Sequence, residues 1–196
     1  MINRIKKFAQ GFSLVETLIA VLLLSTAIAG PLTIASKSLL SAVVAKNQIA
    51  AFFLAQDAVE FVRFARDTNC LKDVDAECPT WLASAVAGSP TDLTACLTQY
   101  GCYFDSTLPE PPPYINACSD FDCAPPLTGD DQYLYESGGK YSYDSGGSRT
   151  PFVREVKITE SLINPGKEAL LIVTVHWRDG TRDRNVEVRE SLFNWQ

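Results

Sequence analysis

Between Thr17 and Ser36 the chain runs for twenty residues without a charged side chain. A hydrocarbon core of roughly 30 Å takes about 20 apolar residues in helical form. The run is therefore long enough to span a bilayer, and a uniform globule cannot be built around it. Arg4, Lys6 and Lys7 precede it, and Lys37 is the first basic residue after it. Positive charge on a short amino-terminal flank favours keeping that flank in the cytoplasm. The expectation is a single-pass cytoplasmic (inner) membrane protein, with its amino terminus inside and its bulk outside. At 196 residues the chain has room for one globular domain beside this appendage.

Two export readings compete. An ordinary secretory signal would be cut after the small-residue pattern Ala27-Ile28-Ala29 and would release a soluble protein. Glu16 stands against it, because a carboxylate near the start of an apolar run is costly and a signal sequence has no use for one. A charge deep in the bilayer costs about 2.5–3.5 kcal/mol on insertion scales. Pro31, two residues beyond that cut, is a poor processing context.

The second reading uses the glutamate. Gly11-Phe12-Ser13-Leu14-Val15-Glu16, with its short basic leader and the uncharged run behind it, resembles the processing site of type IV pilins and type II secretion pseudopilins. The resemblance implies cleavage by prepilin peptidase between Gly11 and Phe12, and N-methylation of Phe12. It implies an ion pair between Glu16 and the Phe12 amine of a neighbouring subunit. It also implies the partners: other pilin or pseudopilin subunits, the peptidase, the inner membrane and its assembly platform. Physical chemistry agrees at each step. A cut before the apolar run leaves that run on the mature protein, Gly11 lets the backbone enter a protease cleft, and a buried carboxylate is tolerable once it meets a cation.

The expected function is a minor structural subunit of a type IV pilus or a type II secretion pseudopilus. Major pilins commonly close a loop near the carboxyl end with a cysteine pair, whereas nothing after Cys123 is cysteine here. The alternative is a membrane-anchored extracytoplasmic binding or adhesion module that does not polymerise. Neither reading needs a cofactor.

Residues 1–11 are thus expected to be the leader, 12–36 the transmembrane and assembly helix, and 37–67 an amphipathic stalk helix. In the stalk Ile49, Phe52 and Phe53, then Val59 and Val62, fall at three- and four-residue spacings, which places them on one side of a helix. Pro31 lacks an amide donor and predicts a kink. The resemblance adds local melting there on assembly; a simple bend is the other reading.

Residues 68–150 form a different texture. They hold all six cysteines, Cys70, Cys78, Cys96, Cys102, Cys118 and Cys123, together with a proline cluster and a Gly/Ser/Tyr-rich stretch. An even number of cysteines in the exported part predicts disulfides, with 15 possible pairings. A metal site is the rival, but there is no C-x-x-C pair and His176 is the one histidine. Asp120, Asp122, Asp130 and Asp131 are weak calcium candidates that do not follow the EF-hand spacing. Tyr133, Tyr135, Tyr141 and Tyr143 read either as an adhesive surface or as ordinary loop packing. Short helices are expected at Trp81–Ala83 and Leu93–Leu97.

Residues 151–196 predict a three-stranded antiparallel sheet. One strand carries Phe152, Val156 and Ile158 on one face, Ala169–Trp177 is rich in β-branched residues, and Asp179-Gly180 is a hairpin signal. Val186, Val188 and Leu192 share a face of the third strand. The fold class is α+β: a long amino-terminal helix packed on a small carboxy-terminal sheet, with a disulfide-rich loop insert. No nucleophile motif occurs and His176 lies mid-strand, so an enzyme is not expected. Without residues 1–11 the balance is 14 basic against 23 acidic side chains, a net charge of −9, which argues against nucleic acid as a partner.

Overall fold

The computed structural model describes residues 11–72, 78–84, 89–106, 115–119, 122–127 and 132–194. It divides into two units, Met1–Ala45 and Lys46–Gln196. Most of the expected leader, residues 1–10, lies outside the described residues.

In the first unit every described secondary-structure residue belongs to one helix, α1 (Leu14–Lys72), which continues into the second unit. It is long and apolar enough to cross a membrane. Its leucines, isoleucines and valines point outward around the whole circumference, as expected of a helix solvated by lipid rather than by a protein core. The hydroxyls in this stretch are satisfied internally: Ser25 donates to the Val21 carbonyl at 2.8 Å, Thr26 to Leu22 at 3.0 Å, and Ser36 to Leu32 at 2.9 Å. Such back-bonding removes the penalty of placing an uncompensated polar group in hydrocarbon. Pro31 lies inside α1 without ending it.

The second unit is the end of α1 laid on an antiparallel sheet. The sheet has seven strands among the described residues: β1 (Cys102–Tyr103), β2 (Asn116–Ala117), β3 (Tyr133–Ser137), β4 (Lys140–Ser142), β5 (Ser148–Glu160), β6 (Glu168–Asp179) and β7 (Arg182–Phe193). The expected meander is β5–β6–β7, joined in continuous register from Phe152↔Trp177 to Glu160↔Ala169 and from Glu168↔Phe193 to Asp179↔Arg182. The three-stranded expectation is corrected in number. The other edge of β5 would otherwise expose a row of unpaired amides and carbonyls, and β3 and β1 pair with it there. Residues 68–150 are consequently more than loops, since they supply four of the strands. The hairpin turn is Gly180-Thr181, with Gly180 at φ 61°, in keeping with glycine at the first central position of a tight hairpin loop.

One face of the sheet is apolar, formed by Phe152, Val156 and Ile158 of β5, Leu171, Val173, Val175 and Trp177 of β6, and Leu192 of β7, all buried. Against it α1 sets Ala51, Leu54, Ala55, Ala58, Val59, Val62 and Ala65, a run of three- and four-residue steps. This overturns the expected stripe in part. Val59 and Val62 are buried, but Ile49, Phe52 and Phe53 are exposed. The alanines bring the helix backbone close to the sheet, and the bulky aromatics turn to the other side.

Three disulfides brace this unit: Cys70–Cys78 at the end of α1, Cys96–Cys102 between a short 3-10 helix (Leu93–Leu97) and β1, and Cys118–Cys123. All three pair neighbours in sequence. Closing such short loops is worth roughly 2 kcal/mol each. Trp81–Ala83 is a bend, not a helix.

Candidate functional site

Gly11 and Phe12 precede α1, and both are exposed. Ser13 begins the helix: its Oγ accepts from the Val15 amide at 3.2 Å, and its carbonyl accepts from Thr17 at 3.1 Å. Serine at this position followed three residues later by glutamate is the capping-box pattern, which the sequence reading passed over although it was legible. Glu16 stands in the first turn of α1 with its side chain exposed. There the helix dipole favours an anion by about 0.3–1 kcal/mol. That falls short of the roughly 2.5–3.5 kcal/mol that a charge deep in a bilayer costs. The next basic residue along the helix, Lys37, is roughly 32 Å away at about 1.5 Å per residue. The helix after Glu16 thus offers this carboxylate no counter-ion of its own.

In the second unit one buried cation ties helix to sheet. Arg154 projects from β5 and its side chain is 2% exposed. It donates to Asp57 Oδ2 at 2.9 Å, to the Leu54 carbonyl at 3.1 Å and to the Phe104 carbonyl at 2.7 Å. Beside it the hydroxyl of Tyr143 is buried, and burial pushes its pKa up to about 12, against the smaller opposing effect of the Arg154 charge. Nearer the helix end Arg63 grips Glu190 of β7 through two 2.7 Å hydrogen bonds. Sequence reasoning gave Arg154 no role, although the period of two places it with Phe152 and Val156 on the apolar face of β5.

Where α1 meets the β3–β4 hairpin lies an open concavity of about 540 Å³, lined by Lys46, Ile49, Ala50, Phe53, Leu54, Asp57 and Gly139–Tyr141. Ile49 and Phe53, both missing from the core, line this groove.

The remaining sequence candidates are placed as follows. Asp122 accepts from the Ser119 amide at 2.9 Å and the Ser119 hydroxyl at 3.0 Å. It lies close to Cys118 and Cys123, but those sulfurs are bonded to each other, so the trio is a braced turn. Asp120, Asp130 and Asp131 lie outside the described residues. Tyr133 is stacked by the Arg149 guanidinium at 3.8 Å, Tyr141 packs edge-on against Phe152, and Tyr143 packs against Tyr103. His176 is buried on the sheet face away from α1, with Nε2 3.7 Å from a Glu155 carboxylate oxygen.

Comparison with protein-family models, with curated proteins and with solved structures yields no match for this chain.

Proposed function

We propose that this chain is a non-catalytic structural subunit of an extracytoplasmic filament of the pilus or secretion-pseudopilus kind. It is clipped between Gly11 and Phe12 and packed through α1, with the second unit as its head. The observation that carries this reading is Glu16: an acid in the serine-capped first turn of a helix whose next twenty residues are uncharged and outward-facing. Such a helix is suited to hydrocarbon or to other helices of its kind. In either setting the carboxylate needs a cation from another chain, and the amine released by cleavage at Gly11 lies at the right depth to supply it. The internally satisfied hydroxyls and the disulfides fit a subunit that leaves the bilayer for an oxidising compartment.

Two measurements on native material test the proposal. Intact mass should place the amino terminus at Phe12 with one added methyl group, and sheared surface filaments should contain the chain. A terminus anywhere else overturns the processing. Recovery solely in the membrane fraction overturns the filament in favour of an anchored module.

A further inference from the structure

The second unit presents two unmatched apolar features at opposite ends of its longest strand. At one end is the groove between α1 and the β3–β4 hairpin, which lies beyond the start of β5, where Glu136 pairs with Ser148. At the other end, roughly 40 Å along a thirteen-residue strand at about 3.3 Å per residue, the loop from β5 to β6 lifts Leu162 and Ile163 into solvent. They are 99% and 88% exposed, more than any other large apolar side chain described. The loop is built, not loose. Ser161 Oγ accepts from the Ile163 and Asn164 amides, Asn164 donates to Glu168, and the Asn194 side chain donates to the Gly166 carbonyl. An ordered tip loses little entropy on docking.

The charges at the two ends are complementary. Lys46 and Lys140 stand at the groove, where the Asp57 carboxylate is already engaged by Arg154. Glu160 and Glu168 flank the tip, with Lys167 between them. Since the two surfaces differ and lie at opposite ends, one copy cannot satisfy itself. A second copy can, and the contact then repeats head to tail.

We infer that the Leu162-Ile163 tip of one copy docks in the Ile49/Phe53/Leu54/Tyr141 groove of the next, with Glu160 and Glu168 meeting Lys46 and Lys140. The contact deepens the filament reading and rests on it for its biological setting.

The test uses the full-length chain in membranes of cells that express two differently tagged copies. Ile163→p-benzoylphenylalanine replaces a side chain that is 88% exposed. Illumination should join the two tags, and peptide mapping should place the adduct within residues 46–57 or 139–141. Lys140→Glu in the receiving copy should lower the yield about tenfold by setting like charges together, and one of the single changes Glu160→Lys and Glu168→Lys in the probe copy should restore it. Adducts solely with lipid, with another protein or with a different part of this chain overturn the contact. So does a complete lack of adduct, or a yield that Lys140→Glu leaves unchanged. A methylated Phe12 terminus without the adduct defeats this inference alone; the adduct with an uncut terminus defeats the filament reading alone.

Discussion

The Arg154 guanidinium meets the Asp57 carboxylate at 2.9 Å across the boundary between sheet and helix, with the arginine buried and the aspartate about half exposed. The asymmetry sets what each partner contributes. Asp57 keeps water on one side, whereas Arg154 depends on protein oxygens from Asp57, Leu54 and Phe104. Arg154→Met leaves an Asp57 that water can still solvate and takes the donor from two carbonyls, so it should cost about 1 kcal/mol. Asp57→Asn keeps an acceptor oxygen but strips the buried Arg154 of its counter-charge, so it should cost more, about 3 kcal/mol. Thermal unfolding of the detergent-solubilised chain measures both, and equal losses would contradict this account.

The start of α1 separates two roles for Glu16. Glutamine serves at the third position of a capping box nearly as well as glutamate, but it carries no charge for an ion pair. Glu16→Gln should preserve helicity and processing while depleting the chain from sheared filaments as strongly as Glu16→Ala does. Filaments restored to wild-type content by Glu16→Gln would reduce Glu16 to a helix cap.

Tyr143 makes the head sensitive to alkali. Its folded pKa is raised to about 12, mainly by burial, above the ordinary value of about 10. The folded state thus holds the proton more tightly than the unfolded one. The sign follows: the stabilisation is present below about pH 10 and is lost as pH rises towards 12. Ultraviolet titration of tyrosinate should show a late-ionising group that Tyr143→Phe removes. The same substitution should flatten the fall in stability between pH 10 and 12.

Gly101 sits where two chain segments nearly touch. Its φ is +75°, and a Cβ there would lie 2.6 Å from the Val156 carbonyl oxygen of β5. Gly101→Ala should cost about 2 kcal/mol or more through strain and overlap. It should also disturb the neighbouring Cys102, so Tm should fall and free thiol should become detectable in unfolded samples. A variant with wild-type Tm would show that β1 can shift away from β5.

Much of this architecture was legible in one dimension because its causes are local. An uncharged run of twenty residues has to be a helix in lipid, since only a helix satisfies every backbone amide within itself. Alternating β-branched residues and a glycine turn specify β5, β6 and β7 by their period. Ser13 and Glu16 announce the helix start within four residues.

Other features depend on which surfaces meet, and no local pattern encodes that. Ile49, Phe52 and Phe53 have helical spacing, yet the sheet accepted the alanine stripe next to them because close approach excludes bulky rings. The strands β1 and β3 cover the edge of β5 that the meander leaves open, and β2 and β4 pair with those strands in turn. Cysteine pairing followed the same logic, since thiols join whichever partner the folded backbone holds nearby. By itself, then, the amino-acid order determined the periodic elements, the membrane-compatible helix and the acid at its head. Tertiary packing alone decided which helix face is buried, how wide the sheet grows and where Arg154 finds its oxygens, because each of these is a competition between surfaces far apart in the chain.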